Sequence, residues 1–198
     1  MTFSFDITAI KADLESLDEI RRVAFGTLLL ERALPNYLKF QIDSGATGGA
    51  VLRAALAQCW ATIELHTFGT EQFLSLAACE KVLPDSEDYS SPYTSAAIDA
   101  TNIACCLLEY LEGRNLASIV EAVQSRWDTL YLFIINHTSL GPEDVLSHPL
   151  MQQELRFVHQ DIVFLQGLSR LERTLHVEVL KRIDDLGYRE HRLNIDQR

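Results

Sequence analysis

Apolar residues recur at intervals of three and four along nearly the whole chain, the spacing that places them on one side of an α-helix. Leu52, Ala55, Leu56, Cys59, Trp60 and Ile63 show it most cleanly. Before them, a segment from about residue 17 to Asp43 is apolar on almost every side, which is the mark of a central helix. Ser16 and Glu19 have the spacing of a capping box at its start, and Gly45, Gly48 and Gly49 break it. Thr70 can cap a short helix reaching about Val82, and residues 84–92, PDSEDYSSP, read as the longest loop. Ala96 to Leu111 forms an apolar helix closed near Gly113. Asn115 can cap the next, with Leu116, Ile119, Val120, Val123, Trp127, Leu130 and Ile134 on its buried side. Pro149 suits the first turn of a further helix that turns Met151, Leu155, Val158, Ile162 and Leu165 inward. Ser169 and Glu172 make a second capping box, Gly187 a stop, and residues 189–198 a polar tail expected to fray. No run alternates as a strand does, and no segment repeats. The expectation is an all-α fold: one domain over residues 1–198, a bundle of about eight helices around a central helix kinked at Pro35.

One stretch interrupts the apolar logic: ERALPNYLKF, residues 31–40. On a helical wheel Glu31 falls amid Ile20, Val23, Ala24, Thr27, Leu28, Leu34 and Leu38, while Arg32 joins Arg21 and Lys39 on a basic stripe at the edge. A buried carboxylate must find a cation, hydrogen-bond donors or a proton. Pro35 lacks an N–H and crowds the carbonyl of Glu31, so a kink or a restarted helix is expected there, with Asn36 and Tyr37 bringing polar groups to the same place. Asp99 lies beside Ile103, Cys106 and Tyr110 on its own helix and also needs a partner; Arg32 is the expected one, because guanidinium and carboxylate match in a two-pronged way. Glu31, Arg32, Asn36, Tyr37 and Asp99 thus form either a structural polar cluster or the lining of a pocket, with Glu31 and Asp99 as the catalytic candidates. Glu31→Ala is expected to cost on the order of 3 kcal/mol if it leaves a buried charge unpaired.

Charge narrows the partners. The 198 residues carry a formal charge of −11, which repels phosphate backbones and disfavours nucleic acid. A basic protein partner fits such a surface, and so does plain solubility. No apolar stretch reaches the length of a membrane span, and the first residues lack the pattern of a secretory signal, so a cytoplasmic location is expected. The four cysteines, Cys59, Cys79, Cys105 and Cys106, have no zinc spacing; Cys59 packs as a small hydrophobe, and a strained Cys105–Cys106 bond is not expected in a reducing compartment. The histidines show no metal spacing, with His148 and His159 eleven residues apart. GATGG, residues 45–49, lacks the lysine of a phosphate loop, and no nucleophile elbow is present. Neither metal nor cofactor is expected.

The run FGTLLLERALPNYLKF resembles the signature of the YjaG-like bacterial family, domain of unknown function 416. Phe25, Glu31, Arg32, Pro35, Asn36, Tyr37 and Phe40 carry the likeness. It continues at Leu56 and Trp60, at Leu83, Pro84 and Asp85, at Asp99 and Ala100, and over residues 148–151 with Glu154. The chain departs from the pattern in YTSAAIDA, residues 93–100, and at Ala57, which follows Leu56. The resemblance implies an all-helical, single-domain fold and no particular activity. Two functions are therefore carried: a soluble, acidic, non-enzymatic interaction or scaffold protein with a protein partner or a second copy of itself, and an enzyme that uses Glu31 as acid or base beside Asp99.

Overall fold

The computed structural model describes residues 4–69, 74–168, 174–190 and 193. Among these the chain forms α1 (Ile7–Glu15), α2 (Glu19–Ser44), α3 (Gly49–Leu65), α4 (Leu76–Glu80), α5 (Thr94–Gly113), α6 (Leu116–His137), α7 (Pro149–Gly167) and α8 (Leu175–Asp185). Short 3-10 turns occupy Pro142–Ser147 and Tyr188–Glu190, and the described residues contain no strand.

Local chemistry sets the boundaries. Asp6 caps α1, a helix the periodicity did not announce, by accepting from the amides of Thr8 and Ala9. Ser16 closes α1 instead of opening α2; the cap of α2 is Asp18, which accepts from the amide of Arg21. Gly45 ends α2 in the left-handed region at φ 75°, where a side chain would be strained. Ser75 caps α4, and Asn115 and His148 cap α6 and α7 as their positions suggest. The proposed caps at Thr70 and at Ser169 with Glu172 lie outside the described residues.

α2 is the axis of the bundle. Helices α3, α5, α6, α7 and α8 and the turn at 188–190 all pack on it, and every residue from Val23 to Tyr37 is buried. At Gly26 it runs against α5, where a Cβ would stand 2.1 Å from Leu107 Cδ2. Leu107 is itself buried and has little room to yield. Two arginines of α2 tie down the ends of other helices: Arg22 donates to the carbonyls of Leu14 and Glu15, and Arg21 to that of Leu168. Pro35 sits inside α2, which passes through as one α-helix and does not restart. The lost ladder bond is borne within a helix held from all sides.

No helix among the described residues is long and apolar enough to cross a membrane.

Candidate functional site

The polar residues of α2 point in different directions and find different partners. Arg32 lies at the centre of the protein, not at the edge of a basic stripe. The stripe reading fails because α7 and the 188–190 turn cover that side of α2. Its Nε donates to Glu154 Oε1 at 3.0 Å and its Nη1 to Asp161 Oδ2 at 2.6 Å. Nη2 stands 2.9 Å from the same Glu154 oxygen, a charge contact without hydrogen-bond alignment. The guanidinium stacks 4.6 Å from the ring centre of Tyr188 and 5.5 Å from that of Phe157. Burial pulls the Arg32 pKa down, but Glu154 and Asp161 outweigh it and hold the group above its ordinary value.

Both acids bridge further. Glu154 accepts from Arg126 of α6 at 3.1 Å, and Asp161 from Arg182 of α8 and, at 2.7 Å, from the Tyr188 hydroxyl. Five charged side chains from four helices thus close one buried network. Asp99 is absent from it, so the expected Arg32–Asp99 pair does not form. Glu154 and Asp161 take that place because they stand seven residues apart in the apolar stripe of α7, facing α2.

Asp99 sits apart on α5, half-buried, accepting from Thr129 Oγ1 at 2.6 Å. Burial raises its pKa to about 6; the Thr129 bond and Arg126 oppose the rise, and Asp128 adds to it. The folded protein therefore holds this proton more tightly than the unfolded chain, where aspartate titrates near 3.8. The stabilisation tied to the proton is complete below about pH 4 and is lost as pH rises through 6. Asp99→Asn is expected to raise stability at pH 8 by on the order of 1–2 kcal/mol and to change it little at pH 4. Urea unfolding of both proteins at the two pH values checks this.

Glu31 opens on a different surface. Trp60 Nε1 donates to Oε1 at 3.3 Å, and Arg189 grips both oxygens, through Nε at 3.1 Å and Nη2 at 3.2 Å. Around it lies a cleft of about 500 Å³. Leu34, Pro35 and Leu38 of α2 form one wall, Leu56, Ala57 and Trp60 of α3 the other, and Arg53 and Arg189 stand at the rim. The apolar wall continues outward, since Leu34 is buried, Leu38 half-buried and Ile42, one turn on, 77% exposed. Loss of Glu31 leaves behind a cation whose side chain is already 52% exposed and can return to water. Glu31→Ala is therefore expected to cost about 1 kcal/mol, below the figure for an unpaired buried charge. A thermal melt measures it.

Asn36 and Tyr37 serve the backbone. Asn36 Oδ1 accepts from the amide of Leu193 at 2.9 Å, while its buried Nδ2 has no partner among the described residues. The Tyr37 hydroxyl donates to the carbonyl of Val82 at 3.2 Å. The tail expected to fray at 189–198 is tied to α2 at Arg189 and Leu193; residues 191–192 and 194–198 lie outside the described residues. Glu31, Arg32, Asn36, Tyr37 and Asp99 do not bond to one another. Among the described residues no group of three His, Cys, Asp or Glu side chains is placed to hold a metal ion.

The residues not singled out from the sequence as site residues are Glu154, Asp161, Arg126, Arg182, Tyr188 and Arg189. For the first three a signal existed: each is a charged residue inside an apolar helical stripe. Tyr188 and Arg189 follow a glycine stop and carried no such mark.

A family model described as "Protein of unknown function (DUF416)" matches residues 9–188. The uncharacterized protein YjaG of Escherichia coli K12 is 26% identical over 144 residues, 71% of this chain and 74% of that protein. The YjaG protein of Salmonella typhimurium is 25% identical over the same length. The crystal structure of a DUF416 family protein from Shewanella baltica OS155 shares the fold, with a TM-score of 0.75 at 22% identity, over 89% of this chain and 94% of that one.

Proposed function

The chain belongs to the DUF416 family, and we propose that it is a non-enzymatic, cytoplasmic interaction protein whose binding surface is the Glu31 cleft. The occupant is a segment of a protein partner that carries apolar side chains and one carboxylate. The observation that carries this reading is the cleft's composition: leucine, tryptophan and proline walls running out to exposed Ile42, below two rim arginines. Arg53 is exposed and has no ion-pair partner among the described residues, so it is available to an incoming acid. Glu31, Arg53 and Arg189 together leave the cleft one positive charge on a chain of formal charge −11. Such a chain draws in a partner that is basic or neutral overall, and the cleft then selects one acidic group on it.

The enzymatic alternative receives less support. Three N–H groups hold the Glu31 carboxylate, and Asp99 is bound on another part of the surface. Among the described residues the cleft lining supplies no nucleophile and no second carboxylate to work with Glu31.

Capture from an extract of the native host tests the proposal, using the full chain and a Leu38→Glu variant. A partner bound by the parent, cross-linked beside Arg53 or Arg189, and lost with Leu38→Glu supports it. Capture that ignores the Leu38 substitution, or a partner cross-linked elsewhere, overturns it.

A further inference from the structure

The three arginines of the buried network end in different surroundings. Arg32 is closed in by Glu154, Asp161 and two aromatic rings. Arg182 donates to Asp161 and lies against the Phe164 ring, with its Nη2 sealed from solvent. Arg126 of α6 differs. Its side chain is only 3% exposed and its Nε donates to Glu154 Oε2 at 3.1 Å, but neither Nη group has a hydrogen-bond partner among the described residues. Arg126 lines a cleft of about 380 Å³ between α6, α7 and the segment 186–193. Leu130, Leu150, Leu186 and Leu193 give this cleft apolar walls, and the exposed Glu190 also borders it. It shares no lining residue with the Glu31 cleft.

We propose that this cleft binds a small monocarboxylate with an apolar tail, the carboxylate on the Nη groups of Arg126 and the tail along the four leucines. The site is separate from the Glu31 surface and does not depend on it. Charge carries the first half of the argument. Arg32, Arg126 and Arg182 face Glu154 and Asp161, which leaves the network one positive charge in excess. Asp99 is close enough to feel Arg126, but its hydrogen bond goes to Thr129. A buried guanidinium with open N–H groups is costly, and an incoming carboxylate satisfies both Nη groups in the two-pronged geometry the pair favours. It also supplies the negative charge that the network lacks.

The walls carry the second half. Leu130 and Leu193 are buried and Leu150 and Leu186 half-buried, so a tail lying on them leaves water for an apolar surface. Each methylene buried there should tighten binding by up to about fourfold, until the tail outgrows the cleft. Glu190 sets the charge limit: it opposes a second negative group, so a dicarboxylate of the same length is disfavoured. Glu154, the other acid of the lining, is already held by Arg32 and Arg126.

Calorimetric titration of the full-length protein with butanoate, hexanoate, octanoate, octanol, octylammonium and the dicarboxylate suberate tests this. Octanoate should bind one to one, more tightly than its shorter homologues. Octanol, octylammonium and suberate should each bind at least about tenfold more weakly, the scale of a lost hydrogen bond to a charged group. A photoreactive diazirine analogue of octanoate should label the peptides around Leu130, Leu150 and Leu186. Leu150→Glu, which lies outside the ion-pair network, should abolish the binding, and Leu38→Glu in the other cleft should leave it unchanged. No saturable binding of octanoate, octanol binding as well as octanoate, or labelling elsewhere on the surface each overturns the proposal. These comparisons use the unaltered protein, so they decide the matter even if a variant fails to fold.

Discussion

Asp161→Ala is expected to lower the free energy of unfolding by about 3–5 kcal/mol, the range for breaking a buried ion pair by removing one partner. Asp161 is fully buried and serves three donors at once: Arg32, Arg182 and Tyr188. The intact network holds three arginines against two acids. Without Asp161 the same arginines face Glu154 alone, and Arg32, which has no exposure, cannot turn to water. Removing Arg32 is the milder change, because Arg126 and Arg182 still neutralise the two acids one for one. Chemical denaturation of Asp161→Ala and Arg32→Met should rank them in that order.

Tyr188→Ala comes next, at about 3–5 kcal/mol, in line with the loss of a large buried aromatic side chain. The ring is fully buried, lies under the Arg32 guanidinium and meets Phe157 edge-on with centres 5.1 Å apart. Its removal opens a gap where the short 188–190 turn closes over α2. Tyr188→Phe separates packing from polarity. It keeps the ring and removes only the hydroxyl bond to Asp161, which retains two arginines, so about 1 kcal/mol is expected. Urea midpoints of the two variants give the split.

Much of the fold was legible because helical periodicity is a local signal. The stripes of α3, α6 and α7 and the cap at Asn115 could be read from neighbours three and four residues away. The burial of Glu31 was legible too, from its place on an apolar face. Its partner was not, since Arg189 is brought to it by a turn 158 positions later in the chain. Arg32 was misplaced for a related reason. A wheel drawn for one helix separates apolar from charged sides, but it cannot show that another helix brings two acids to the charged side. Glu154 and Asp161 carried a sign of this, as carboxylates one heptad apart in an inward stripe.

The account depends most on a direct coupling between Arg32 and Asp161 that fastens the central helix to α7. A double-mutant cycle with Arg32→Met, Asp161→Leu and the combined protein measures that coupling. The prediction is a double variant less destabilised than the sum of the singles by about 2 kcal/mol or more, since removing both charges leaves neither stranded. Additivity to within about 0.5 kcal/mol would mean that the two groups do not depend on each other, and would contradict it.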